Sequence, residues 1–262
     1  MGLVTAVLIA ILTVVGVGAA WLAHNQYRIQ GATTAMCAAV RRPAVDRPVD
    51  GQVRRLASRE TVGAALALLT VGLTAVCGLA YVSDSVQEFD GITLLDRPVV
   101  VWLASHRVPA LTVAMRAVSA VGSPGSTAAA AVAVCAAVAW RRRSWLPIAM
   151  VGIGLAGFAT EVSVVKLAVA RERPPLPYSV MPVAGYSFPS GHAMGVTTTM
   201  LVSAWVLGHW MIRSFRGRIA IWTGALAIIA GVGFSRMYLG VHYLSDVIAG
   251  WLLGTIWTCT LL

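Results

Sequence analysis

Seven long apolar runs dominate this sequence and restrict it to a small set of folds. They lie near residues 3–23, 61–82, 124–140, 145–166, 193–211, 219–235 and 243–262. Each is close to the ~20 residues that cross ~30 Å of hydrocarbon as a helix. Within a bilayer only helices and closed barrels satisfy their backbone hydrogen bonds, and these runs lack the alternation of barrel strands. We therefore predict an all-α integral membrane protein.

Composition and charge support the same class. The chain is 58% hydrophobic and 11% charged, with a mean hydropathy of +0.79, whereas soluble domains carry roughly 25% charged residues. The net charge of +10 could suggest nucleic-acid binding. However, the arginines lie in short clusters between apolar runs, which is typical of topology signals. We expect the bilayer as a partner, and no nucleic acid.

The arginines also predict how the chain is oriented. Thirteen of the nineteen fall in residues 25–59 and in two later connections: Arg28, Arg41, Arg42, Arg47, Arg54, Arg55, Arg59, Arg141, Arg142, Arg143, Arg213, Arg216 and Arg218. Cytoplasmic loops carry an excess of arginine and lysine. These connections are therefore predicted to be cytoplasmic, with the N-terminus outside and the C-terminus inside.

We divide the chain into three parts. Residues 1–24 are predicted to be an N-terminal transmembrane anchor, which stays uncleaved because the basic block follows its apolar run instead of preceding it. Residues 25–59 are predicted to be a cytoplasmic arginine-rich linker. Residues 60–262 are predicted to hold six spans. Within them, residues 83–123 are too polar to span throughout and are expected to form one or two helices at the outer interface.

Three polar stretches lie on the predicted outer side. The first combines Lys166, the only lysine of the chain, with Arg173 and Pro174. The second is Pro-Ser-Gly-His at 189–192. The third carries Ser235, Arg236, His242 and Asp246. Any one of these stretches alone could lack a functional role, since a lysine at a span's end often extends towards water. Their joint occurrence on one face makes that interpretation of the set untenable.

The residue types in these stretches are those that bind phosphate. Lys166, Arg173 and Arg236 supply three cations, and arginine matches phosphate oxygens with a planar fork of donors. Ser190 and Gly191 stand where a helix is predicted to begin, so free backbone amides and the positive end of the helix dipole favour an anion there. The sequence therefore predicts a phosphate cradle.

Two histidines are expected to face this cradle. His242 and Asp246 are four residues apart, so Asp246 can accept a hydrogen bond from one ring nitrogen and leave the other as a nucleophile. His192 lies on another helix and could protonate a leaving oxygen. The sequence shows no spare carboxylate cluster for a catalytic metal. These features favour a metal-independent phosphoryl transfer through a phosphohistidine, without a cofactor.

Lys-x6-Arg-Pro, Pro-Ser-Gly-His and Ser-Arg-x5-His-x3-Asp, in this order, resemble the signature motifs of the type 2 phosphatidic acid phosphatase superfamily. This resemblance implies a six-helix transmembrane phosphatase core, which the six spans of residues 61–262 fit. The apolar run at 3–23 lies outside that pattern and is predicted to be one extra N-terminal transmembrane helix. The resemblance also implies that His242 is the nucleophile and His192 the general acid. Phosphate binding would fall to Lys166, Arg173, Ser190, Gly191 and Arg236.

The expected function is hydrolysis of a lipid-linked phosphate or diphosphate at the extracytoplasmic face of a bacterial plasma membrane. Polyprenyl diphosphate is the favoured substrate, and phosphatidate and phosphatidylglycerol phosphate are competitors. A lipid phosphotransferase, or a non-catalytic protein that binds or transports lipid phosphates, is an alternative. Oligomeric state and the role of residues 1–59 stay open.

Three other features have competing interpretations. Gly152-x-Gly154-x-x-Gly157 matches a dinucleotide-binding pattern, but it lies inside an apolar run without a preceding strand, which favours helix packing. Glu161 is an ionisable residue within a span, and it could pair with a site cation or reach outer water. Arg171 and Glu172 are predicted to be loop residues at the edge of the site.

Overall fold

The computed structural model of the chain describes residues 51–262, and within this range all regular structure is helical. A short 3-10 helix covers Gly91–Leu95. The α-helices are α1 (Gly51–Glu88), α2 (Asp96–Ser105), α3 (Pro109–Val121), α4 (Pro124–Arg142), α5 (Leu146–Val169), α6 (Gly191–Trp210), α7 (Phe215–Tyr238) and α8 (Leu244–Leu261). The all-α prediction is confirmed. The predicted first span and residues 25–50 of the predicted linker lie outside the described residues.

Each of the last six predicted spans coincides with a helix, and the observed helices are longer at most ends. Helix α1 begins at Gly51 and continues to Glu88, so it includes the last part of the predicted linker and the first part of the predicted interfacial segment. The remainder of that segment, where one or two helices were expected, forms the short 3-10 helix, α2 and α3. Ser123 caps α4: its hydroxyl accepts a hydrogen bond from the Ser126 amide at 3.3 Å.

Four of the described helices are long and apolar enough to cross a membrane on their own, with spans at Ala65–Glu88, Leu146–Val169, Phe215–Tyr238 and Leu244–Leu261. A fifth candidate is the pair α3 and α4, which bend by 52° at residues 122–123. Helix α6 is not among them, although it is 20 residues long. It packs against α4, α5, α7 and α8. A helix enclosed by four others does not need a uniformly apolar surface, and this explains its threonines.

Two glycines allow α8 to approach α6 closely. A Cβ atom added to Gly250 would lie 2.7 Å from the Ser190 carbonyl oxygen, and one added to Gly254 would lie 2.7 Å from the Thr197 Cβ. On α5, a Cβ added to Gly157 would collide with the Trp257 ring. The Gly152-x-Gly154-x-x-Gly157 pattern lies inside helix α5, as the packing interpretation requires. These contacts fix the helices that carry the polar motifs.

We expect Gly250→Ala to destabilise the protein by about 1–3 kcal/mol, because the new methyl group would press on backbone atoms that cannot move aside independently. Gly152→Ala is the matched control, since a Cβ there has no neighbour within 4 Å and alanine favours a helix. Thermal unfolding in detergent measures both. Equal midpoints for the two variants would contradict this packing.

Candidate active site

The three predicted motifs meet at one end of the helix bundle. Lys166 lies in the last turn of α5, and Ser190 caps the N-terminus of α6. Arg236 lies in the last turn of α7, and Asp246 in the first turn of α8. The segment 170–190, between α5 and α6, lies at this end. The structure thus brings together helix ends that are up to 80 residues apart in the sequence.

Arg173 is the centre of the hydrogen-bond network. Its Nη1 atom donates to the Val241 carbonyl oxygen at 2.8 Å and lies 3.1 Å from Nε2 of His242. Its other nitrogens donate to the carbonyl oxygens of Gly185 at 2.8 Å and Tyr186 at 3.1 Å. Guanidinium only donates. Nε2 of His242 is therefore the acceptor, and we infer from this network that the proton of the neutral ring is on Nδ1.

The Nδ1 atom of His242 faces Asp246. It lies 3.4 Å from Oδ2 of Asp246, which is longer than an ordinary N–H···O hydrogen bond, and it has no hydrogen-bond partner of regular geometry among the described residues. The His242 and Asp246 residues are 2% and 0% exposed. Catalytic hydrogen bonds are often long without substrate, and this pair has the orientation that an Asp-supported nucleophile needs.

Burial keeps His242 neutral. It lowers the pKa of His242 from 6.5 to about 4, an effect that Asp246 opposes and that the charges of Arg173 and Arg236 reinforce. Only the neutral ring has a lone pair on Nε2 for attack on phosphorus. At neutral pH the ring is therefore in its nucleophilic form.

Ser190 and Gly191 begin helix α6 as predicted. The Ser190 hydroxyl accepts from the Ala193 amide at 3.4 Å, and the Ser190 amide donates to the Asp246 carbonyl oxygen at 2.9 Å. The second bond ties the start of α6 directly to the first turn of α8. His192 follows in the first turn of α6 and is half-buried. The ring of His192 interacts electrostatically with the charges of Arg236, Arg173 and Lys166, and also with His242.

The remaining two cations also point to an anion site. The Lys166 ammonium donates to the Tyr186 carbonyl oxygen at 2.5 Å. Arg236 is 5% exposed, donates to the Ser119 hydroxyl through Nη1, and leaves its buried Nε without a partner in the described part of the chain. A buried donor without an acceptor is costly. A phosphate oxygen is the kind of acceptor that would satisfy it.

Two charged residues of this region were not identified from the sequence as part of the site. Arg171, predicted to be an edge residue, is an integral part of the network. Its Nη1 atom donates to Oδ1 of Asp246 at 2.7 Å and to the Ser245 hydroxyl at 2.7 Å, and its Nη2 atom donates to Oδ2 of Asp96 at 2.7 Å. Asp96 is 3% exposed. The only feature of the sequence that could have indicated this role is that Arg171 lies two residues before Arg173.

The surroundings of Glu161 support neither of its two interpretations. Glu161 is 7% exposed and faces the inside of the bundle from α5. Among the described residues it forms no ion pair, so pairing with a site cation is not supported. Nor does a side chain with so little exposed surface extend freely to water. Its position gives it no direct part in the network around His242.

The family comparison matches the half of the chain that carries the motifs. Residues 145–262 match the family model described as the PAP2 superfamily. Phosphatidylglycerophosphatase B of Bacillus subtilis is 30% identical over 156 residues, which cover 56% of this chain and 72% of that protein. Decaprenylphosphoryl-5-phosphoribose phosphatase of Mycolicibacterium smegmatis is 33% identical over 149 residues, covering 54% of this chain and 72% of that protein.

A third relative and a solved structure agree. Undecaprenyl-diphosphatase of Sulfolobus acidocaldarius is 40% identical over 70 residues, a match that spans 27% of this chain and 29% of that protein. The crystal structure of a transmembrane PAP2-type phosphatidylglycerolphosphate phosphatase from Bacillus subtilis superposes with a TM-score of 0.67 at 22% identity, covering 71% of this chain and 92% of that one. The resemblance seen in the motifs is confirmed: the chain belongs to the PAP2 superfamily and is a multi-pass membrane phosphatase.

Proposed function

We propose that the protein hydrolyses a lipid-linked phosphate or diphosphate through a phosphohistidine on His242, without a metal ion, at the extracytoplasmic face of the plasma membrane. Polyprenyl diphosphate is the favoured substrate. The observation that carries the proposal is the position of His242. Its Nε2 atom lies 3.1 Å from the Arg173 guanidinium, and its Nδ1 atom lies 3.4 Å from the Asp246 carboxylate.

In the first step, the lone pair of His242 Nε2 attacks phosphorus while the bond from phosphorus to the leaving oxygen breaks. Positive charge develops on the imidazole, and Asp246 stabilises it through the Nδ1 proton, as the carboxylate of a Ser-His-Asp triad does. The bound phosphate offsets the positive charges of the site, so that His192 takes up a proton as substrate binds. His192 gives this proton to the leaving oxygen, which departs as the lipid alcohol or lipid phosphate. The products of this step are the leaving group and phosphorylated His242.

In the second step, water attacks the phosphohistidine. His192, deprotonated by the first step, accepts a proton from this water, and the phosphorus–nitrogen bond breaks. Inorganic phosphate leaves, and both histidines return to their starting states. A site that admitted a second lipid alcohol in place of water would perform phosphotransfer with the same residues.

The three cations supply most of the charge stabilisation in this proposal. Phosphoryl transfer spreads negative charge over three equatorial oxygens, and positioned cations stabilise that charge in a partly buried site. Arg236 offers an Nε donor that has no hydrogen-bond partner among residues 51–262. Arg173 is anchored by three backbone carbonyl oxygens, so it stays in place when phosphate binds, and its hydrogen bond to Nε2 of His242 is the one that breaks before attack.

Substrate preference is inferred from the relatives. Two of the three relatives named above act on polyprenyl-linked compounds by their names, undecaprenyl diphosphate and decaprenylphosphoryl-5-phosphoribose. Phosphatidylglycerol phosphate is the second candidate, because phosphatidylglycerophosphatase B matches the longest stretch of this chain among these three relatives. A site at the end of the bundle suits either lipid, since the tails can stay in the bilayer while the headgroup reaches His242.

The test is phosphate release by the purified protein in detergent micelles with excess EDTA. Undecaprenyl diphosphate and phosphatidylglycerol phosphate are offered separately at equal mole fraction in the micelle. We expect release from both, with a higher kcat/KM for the diphosphate and no effect of EDTA. Loss of activity in EDTA would contradict the metal-independent mechanism, and a higher kcat/KM for phosphatidylglycerol phosphate would reverse the substrate assignment.

The face of the membrane is inferred from the arginines. The basic clusters at 141–143 and 213–218 lie at the ends of α4 and α7 that are opposite to the site, and basic loops favour the cytoplasm. We expect right-side-out vesicles to hydrolyse an externally added, membrane-impermeant short-chain lipid phosphate without permeabilisation. Activity that appears only after the vesicles are opened would place the site on the cytoplasmic side.

A further inference from the structure

We propose that Arg171 and Asp96 are positioning residues for the reaction: as an ion pair, they fix the carboxylate of Asp246 and through it the ring of His242. The inference rests on the proposed role of His242 as nucleophile. Neither residue touches the phosphate in this proposal. They act on the orientation of the Asp246 carboxylate, which faces the nucleophile His242 and does not itself contact the phosphorus atom.

The two oxygens of Asp246 have different partners. Oδ1 accepts from Arg171 at 2.7 Å. Oδ2 accepts from the Tyr243 amide at 2.9 Å and faces His242. The backbone amide alone would leave the carboxylate free to rotate about its Cβ–Cγ bond. The second anchor at Oδ1 removes that freedom and directs Oδ2 towards the ring.

Asp96 holds Arg171 and the start of α8 together. Its Oδ2 accepts from Arg171 at 2.7 Å and from the Ser245 hydroxyl at 2.5 Å, and its Oδ1 accepts from the Ser245 amide at 2.9 Å. The amide bond satisfies a donor in the first turn of α8, where a helix leaves amides free and favours negative charge. Asp96 is thus a capping residue supplied by another helix, α2.

The guanidinium group is required for this geometry. Its Nη1 and Nη2 atoms reach two carboxylates on different helices, while its Cζ atom lies over the Tyr243 ring, 4.5 Å from the ring centroid. Burial lowers the pKa of Arg171, but the charges of Asp246 and Asp96 outweigh this and raise it above the usual value. A lysine would keep the charge and lose both the fork and the stacking.

The test uses Arg171→Lys, Arg171→Gln and Asp96→Asn, each in the wild type and in an Asp246→Ala background. In the wild type we expect kcat to fall about 10–100-fold with little change in KM, as for residues that orient a catalytic group. In the Asp246→Ala background each substitution should lower kcat by less than about 3-fold, because the carboxylate that it would orient is already absent. Arg97→Gln is the control, since Arg97 is exposed and adjacent to Asp96.

Equal fold-losses in both backgrounds would overturn the inference, because a purely structural role does not depend on Asp246. The ¹⁵N NMR spectrum of His242 is a second readout that does not depend on turnover. It can be measured in variants with weak activity. It also distinguishes failure of this inference from failure of the proposed function. In protein labelled with ¹⁵N-histidine, the wild-type His242 should show the Nδ1-protonated tautomer. Arg171→Lys and Asp96→Asn should shift the tautomer equilibrium, and an unchanged His242 spectrum would also overturn the inference, whatever lipid the wild type hydrolyses.

Discussion

Replacing His242 with alanine should reduce phosphate release by about 10⁴-fold or more, the scale of removing a covalent nucleophile. No other described residue places a nucleophilic nitrogen both 3.1 Å from Arg173 and next to Asp246. Phosphate release from lipid substrate measures the loss. Acid-labile labelling of the wild type by a ³²P-labelled substrate should disappear in the same variant.

His209→Ala is the matched control for that loss. His209 lies near the opposite end of α6, about 26 Å from His192 at 1.5 Å per residue, and its ring stacks on Trp205 at 4.8 Å. The variant should retain activity within a factor of about two, the range expected of a residue outside the site. Equal losses in the two histidine variants would contradict the assignment of His242 as nucleophile.

Replacing His192 with alanine should lower turnover of a lipid phosphate monoester by about 10²–10⁴-fold, the usual contribution of a general acid. The size of the loss should depend on the leaving group. An alcohol needs the proton, whereas nitrophenolate leaves without one. Comparing wild type and variant on a lipid phosphate and on p-nitrophenyl phosphate therefore tests the specific role of His192.

Two outcomes separate the roles open to His192. A much smaller loss with p-nitrophenyl phosphate would agree with proton donation to the leaving oxygen. The same loss with both substrates would contradict that role and assign His192 to phosphate binding or to activation of water. Thermal unfolding of the variant checks that the protein still folds, since His192 lies in the first turn of the central helix α6.

The helices and the ends that carry the site could be predicted from the sequence because both depend on local information. Apolar runs of about 20 residues set the helices, and Ser123 and Ser190 mark helix starts with ordinary capping chemistry. The site residues also lie close to helix ends, where polar groups accumulate in a membrane protein. The predicted cluster of cations, histidines and Asp246 follows from the alternating direction of successive helices.

The supporting contacts could not be predicted, because they join residues that are distant in sequence and ordinary in type. Asp96 meets Arg171 across 75 residues, and Ser119 meets Arg236 across 117. Neither pair has a spacing that a single sequence reveals. Helix α6 was predicted as a span, but the sequence did not show that it is enclosed by four other helices, which explains why it is less apolar than the candidate membrane spans.

The contacts of α2 and α3 make the segment before residue 145 part of the support of the proposed active site. The family match begins at residue 145, but Asp96 and Ser119 come from the preceding segment and hold Arg171 and Arg236. A chimaera that took residues 145–262 from a relative would keep Asp96 and Ser119 of this chain, and their hydrogen bonds would form only where the relative also has arginines at the positions of Arg171 and Arg236. Exchange between two members of this family should therefore preserve activity only when the residues on both sides of this boundary match.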